Sequence, residues 1–145
     1  MMDTCAIVHI RDLPNQDGAW LIIRALIAAG RLIMCREAWD ELKNVDAEIY
    51  ELLQNVKDPL VLPVTGAVML PKVGAISHKY PSCCRPRVPR NIADPYIIAY
   101  AKERGYVVVT DERDHKQKMP VVCRKEGVGC IDLATMLRRE ADLSA

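Results

Sequence analysis

"ADPYIIAYAKERGYVVVT", residues 93–110, decides the reading of the fold. Asp94 is a natural helix N-cap, Pro95 suits the first helical position, and Gly105 suits the stop. "YVVVT" (106–110) then reads as a strand that is apolar on both faces. A strand of that kind, entered from a helix, belongs in a parallel sheet with helices packed on each side.

The rest of the chain extends this pattern outward. "AIVHI" (6–10), in a strand that begins at Met1 and Met2, "RLIMC" (31–35) and "VGCI" (128–131) read as further short buried strands. Between them lie helical stretches: "GAWLIIRALIAAG" (18–30) capped by Asp17, "REAWDELK" (36–43), and "DAEIYELLQN" (46–55) capped by Asp46. "PVVCRKE" (120–126) runs from Pro120 to a stop at Gly127, and a last helix runs from Asp132 through "LATMLRREADL". Residues 56–93 hold most of the prolines; a helix around Gly66–His78 is expected there, interrupted by Pro71. The expectation is an α/β chain forming one domain over 1–145: a three-layer α/β/α sandwich with a central, mainly parallel sheet of four to five strands.

Composition narrows the function less than the fold. A chain of 145 residues is long enough for one real core, and a formal net charge of +1 points to no partner. No run approaches the ~20 apolar residues of a membrane helix, so a cytoplasmic protein is expected. Of the six cysteines, Cys5, Cys35, Cys123 and Cys130 sit in or beside apolar runs, where a free thiol behaves as a small hydrophobe. There is no CxxC, and His9, His78 and His115 are scattered, so a thiol–zinc site is not expected.

The acids carry the chemistry. In open parallel sheets, ligands gather beyond the carboxyl ends of the strands. Asp3 lies at the first expected strand, Glu41 on the helix after the second, and Asp94 at the start of the next helix. Asp111, Glu112 and Asp114 follow directly on "YVVVT". Each has an ordinary reading: Asp94 as a cap, Glu41 as an exposed helix acid with Glu37 one turn earlier as its rival, and the trio as a polar turn. Asp3 resists that treatment, because an acid within a short apolar segment is costly to bury unpaired. Jointly, carboxylates converging on one cleft repel one another unless a cation is present. Mg²⁺ or Mn²⁺, one ion or two, prefers such oxygen ligands and is commonly shared with phosphates.

At this point the chain resembles the PIN domain family of metal-dependent ribonucleases, and within it the VapC-like toxin branch. "MMDTCAIV" is similar to the family's first strand, "EAWDELK" to the helix with the second acid, and "ADPYIIAYAKERGYVVVTDERD" to the third-acid helix and the Thr-x-Asp strand end. "GVGCIDLATMLRRE" is similar to its closing strand and helix. The resemblance implies a Mg²⁺- or Mn²⁺-dependent endoribonuclease that hydrolyses RNA phosphodiester bonds. It also implies a homodimer and an antitoxin protein that obstructs the pocket.

Carried over residue by residue, Asp3, Glu41, Asp94 and Glu112 become catalytic. Asp3, Asp94 and Glu112 become metal ligands, with Asp111 or Asp114 as alternatives to Glu112. Thr4, Cys5 and Thr110 then stand behind the ligands. Cys5 occupies a place where the family often has Asn or Ser, and Glu112 is one methylene longer than the family's Asp.

An RNA partner needs positive charge near the acids. Lys79, Arg85, Arg87 and Arg90, joined by Arg113, Lys116 and Lys118, are the candidates for tracking phosphates, with Tyr80 to stack on a base. A solvated basic loop is the ordinary alternative. Two other functions compete: a catalytically degenerate module of the same family that binds RNA or protein, and an aspartate-nucleophile phosphatase. The phosphatase wants a second Asp where Cys5 stands.

Overall fold

A computed structural model describes residues 1–83, 92–116 and 118–144. Asp3 ends a short extended segment, and the chain turns at once into helix α1 (Thr4–Val8) and a 3₁₀ turn over His9–Asp12. Helices α2 (Gln16–Ala28), α3 (Arg36–Val45), α4 (Ala47–Leu52) and α5 (Lys57–Leu60) follow, then α6 (Leu70–Lys79) and α7 (Asp94–Arg104). Strand β1 (Val108–Val109), helix α8 (Met119–Glu126), strand β2 (Cys130–Ile131) and helix α9 (Leu133–Ser144) complete the order.

The expected sandwich around a four-to-five-stranded sheet is not what the chain forms. Among the described residues the fold is 63% helix and 5% strand, and the sheet is one parallel pair, with Val108 opposite Cys130 and Val109 opposite Ile131. Elsewhere among the described residues the extended segments meet only through isolated parallel bridges, Met2 with Val109 and Met34 with Val61. "AIVHI" is the clearest reversal. Ala6, Ile7 and Ile10 are buried while Val8 and His9 are partly exposed, a helical spacing rather than an alternating one. Five apolar residues are too few for periodicity to separate a buried strand from a buried helix. "RLIMC", "YVVVT" and "VGCI" supply one or two bridging residues each, and the helices take over the burial.

The helices follow their sequence logic more closely. In α2 the buried residues Ala19, Ile23, Leu26 and Ile27 form one stripe. Its cap is Asn15, whose Oδ1 accepts from Gly18 N–H at 3.0 Å, while Asp17 sits in the first turn. Asp46 caps α4 as expected, accepting from Ile49 N–H at 3.1 Å. Pro71 lies in the first turn of α6 instead of interrupting it, where a missing N–H removes no helical bond. Gly105 and Gly127 end α7 and α8 at φ 68° and 70°, a left-handed conformation that glycine adopts without a Cβ clash.

Helix α7 is buried along most of its length. Asp94, Pro95, Ile97, Ile98, Ala99, Tyr100 and Ala101 are all buried, and it packs against α3, α6, α8 and β1. Glu126 of α8 fastens this group together. Its carboxylate, only 3% exposed, accepts from Lys79 Nζ (2.6 Å), Lys102 Nζ (2.7 Å) and the Tyr80 hydroxyl (2.5 Å). Those donors hold its pKa down from 4.5 to about 2. A depressed carboxyl contributes stability that is present above pH ~4.5 and is lost as pH falls toward 2. Both lysines are more than half exposed, so screening moderates the effect. Glu126→Gln should therefore cost about 2 kcal/mol at neutral pH and flatten the acid limb, as read by urea unfolding between pH 3 and 7.

Candidate active site

Each acid reaches its place by a different local route. Asp3 is fixed by its N–H to Val109 O at 2.9 Å, which sets the end of its segment beside the end of β1. Thr110, the next residue after β1, donates from Oγ1 to Asp3 Oδ2 at 2.7 Å. Cys5, in the first turn of α1, donates from Sγ to the same oxygen at 2.8 Å. Thr4 donates to the carbonyl of Ala38 at 3.2 Å and so ties α1 to α3, the helix bearing Glu41. Asp94 is the first residue of α7 and makes no capping bond, since Ala93 holds the cap position. Its ordinary reading as a cap is thereby removed.

Asp3, Thr4, Cys5, Glu41, Val45, Asp94 and Glu112 line one small cleft of about 180 Å³. Asp3 and Asp94 are 4% and 7% exposed, so their carboxylates are largely cut off from water. Burial pushes the Asp94 carboxyl up to about 9, and the charges of Asp3, Glu112 and Glu41 push in the same direction. Asp3 is also raised, chiefly by burial and further by Glu112, against the pull of its bonds from Cys5 and Thr110. The Cys5 thiol is pushed up by burial and by Asp3, which keeps it a neutral S–H donor.

Glu112 stands differently. Its N–H bonds Thr110 Oγ1 at 3.2 Å, while its carboxylate accepts from Lys118 Nζ at 3.1 Å and from the N–H of Met119 at 2.9 Å. Asp111 turns the other way: Oδ1 accepts from Leu133 N–H at 2.8 Å, and Oδ2 lies 3.1 Å from His9 Nδ1. Asp114 is exposed and pairs with Arg124 at 2.9 Å. Of the three clustered acids, only Glu112 lines the cleft.

The basic candidates divide as well. Lys79 and Tyr80 are engaged with Glu126, and Tyr80 is buried. Arg113 and Lys116 are exposed, and Lys118 is on Glu112. Arg85, Arg87 and Arg90 lie outside the described residues. One participant had no signal in the sequence: Cys83, whose Sγ donates to Asp94 Oδ2 at 3.6 Å. Glu37, the rival to Glu41, instead accepts from Thr65 Oγ1 at 3.0 Å, and Thr65 accepts in turn from the Tyr100 hydroxyl at 3.1 Å.

The donor set suits a hard divalent cation: oxygen ligands, two of them buried, with both buried carboxyls raised chiefly by burial and further by neighbouring carboxylates. Among the described residues, no three His, Cys, Asp or Glu side chains close around a single point as they stand. Glu112 would have to turn from Lys118 to join the others. No helix among the described residues is long and apolar enough to cross a membrane. No curated protein and no solved structure matches this chain. A family model does match, over residues 2–142, and the chain belongs to that family, described as a domain of unknown function (DUF4411).

Proposed function

We propose that the protein is a metal-dependent endoribonuclease that hydrolyses RNA phosphodiester bonds, using Mg²⁺ or Mn²⁺ at the acidic cleft. One observation carries this reading: carboxylates from four separate segments line one cleft, where burial, and after it the charges of Asp3, Glu112 and Glu41, raises Asp94 to about 9. A site that must hold protons to tolerate its own charge is matched to a divalent ion. The resemblance to PIN ribonucleases supports the same reading through the three stretches that carry Asp3, Glu41, and Asp94 with Glu112.

Asp3, Asp94 and Glu112 would hold the ion. When bound, Mg²⁺ or Mn²⁺ supplies Lewis-acid charge against the phosphodiester and makes its water more acidic. Glu41 completes the site or orients the attacking water. Cys5 and Thr110 fix the Asp3 carboxylate so that its second oxygen can serve the ion. Exposed Arg113 and Lys116 would meet the RNA backbone beside the cleft. By the same resemblance, the assembly is a homodimer and the regulator an antitoxin protein; the cytoplasm is the setting proposed for it.

A second reading, a non-catalytic module that binds RNA or protein, is favoured by one observation: both Glu112 oxygens are already engaged by Lys118 and Met119.

The test is cleavage of a single-stranded RNA with Mn²⁺, with excess chelator, and with Asp3→Asn. Loss of a buried ligand should lower the rate about 100-fold or more while the far-ultraviolet spectrum stays unchanged. Chelator should have the same effect on the unaltered protein. Cleavage that survives both treatments would refute the assignment, and a protein that cuts no RNA would favour the binding module.

A further inference from the structure

Lys118 is the cation paired with Glu112, an acid that lines the cleft. Its Nζ lies 3.1 Å from Glu112 Oε1, and the N–H of Met119, at the start of α8, lies 2.9 Å from Oε2. Both oxygens of Glu112 thus face the N-terminus of α8 rather than the other carboxylates. The Lys118 backbone is anchored: its N–H bonds His115 O at 2.9 Å, and its carbonyl accepts from Val121 and Val122 at 3.1 Å. Its side chain is 45% exposed, so the ammonium can leave Glu112 without disturbing the helix.

We propose that Lys118 is a built-in counter-cation that a divalent ion displaces from Glu112, and that it then takes a phosphate oxygen of the substrate. This rests on the cleft being an ion site. An ammonium–carboxylate pair with one partner near half exposure is weak, and a doubly charged ion competes with it readily. Displacement leaves Lys118 in the field of Asp94 but without a bonded partner, a state that an incoming phosphodiester relieves. Ion and phosphate therefore bind cooperatively, and the coupling is reciprocal. No covalent step is involved.

Calorimetric titration of Mn²⁺ into the full chain, with and without dimethyl phosphate as the phosphodiester probe, tests this without reference to cleavage. In the unaltered protein, dimethyl phosphate should tighten Mn²⁺ binding about 3- to 10-fold. Lys118→Met, which keeps the alkyl stem and removes the charge, should bind Mn²⁺ about 3- to 10-fold more tightly by itself and lose the response to dimethyl phosphate. Lys118→Arg should retain the response, and Glu112→Gln should weaken Mn²⁺ binding, opposite in sign to Lys118→Met. Equal or weaker Mn²⁺ binding by Lys118→Met would overturn the displacement. An unchanged response to dimethyl phosphate in that variant would overturn the transfer to phosphate. Absence of Mn²⁺ binding in every protein would instead overturn the ion-site reading beneath both.

Discussion

Asp94→Asn should make the metal-free protein more stable, and increasingly so as the pH rises. The Asp94 carboxyl titrates near 9 in the folded chain and near 3.8 in the unfolded one, through burial and the charges of Asp3, Glu112 and Glu41. Between those values the folded state holds a proton that the unfolded state releases. Stability therefore falls as pH climbs from about 4 to about 9, and levels off beyond. Asparagine carries no charge at any pH and escapes this loss. The gain should be small at pH 4 and on the order of 3 kcal/mol at pH 8, read by urea unfolding with chelator present. The same variant should lose Mn²⁺-dependent RNA cleavage by about 100-fold or more. A stability gain joined to loss of activity is the mark of a site held in strain for function. A variant destabilised equally at pH 4 and pH 8 would show that Asp94 is structural.

Trp39→Ala should have the largest effect on the fold itself. Trp39 is wholly buried on α3, with its ring 4.6 Å from that of Tyr50 and Lys57 Nζ 5.9 Å above it. Removing a buried indole costs about 3–5 kcal/mol in lost transfer energy and cavity, a large part of the ~5–15 kcal/mol holding a domain of this size. Because α3 carries Glu41 and receives the Thr4 bond that ties down α1, the cleft should loosen with the core. Urea unfolding measures the loss. Leu21→Ala, at a side chain 73% exposed, is the control and should stay within about 0.5 kcal/mol.

One cap and two stops were legible from residues alone, while the expected caps Asp17 and Asp94 gave way to Asn15 and Ala93. Asp46, Gly105 and Gly127 act through local bonds or local backbone freedom, which nearby sequence specifies. The sheet was not legible, because a run such as "AIVHI" is buried in either conformation and only its packing selects the helix. In the same way, residues 111–114 place three acids within four positions, and nothing local tells them apart. Their directions are set at a distance: Asp111 by Leu133 and His9, Asp114 by Arg124, and Glu112 by Lys118 and Met119. Cys83 reaches Asp94 across eleven positions, with no pattern in the sequence to announce it. Asp3 was legible for the opposite reason, since a carboxylate inside an apolar segment requires partners whatever the fold.

Titrating Mn²⁺ into the metal-free protein, in two buffers of different ionisation enthalpy at pH 7, tests the shared ion site most directly. Binding in the millimolar range or tighter is expected, with release of about one proton as Asp94 gives up its own, and Asp3→Asn should abolish it. Binding that releases no proton, or that is indifferent to Asp3→Asn, would mean that these carboxylates do not hold an ion together.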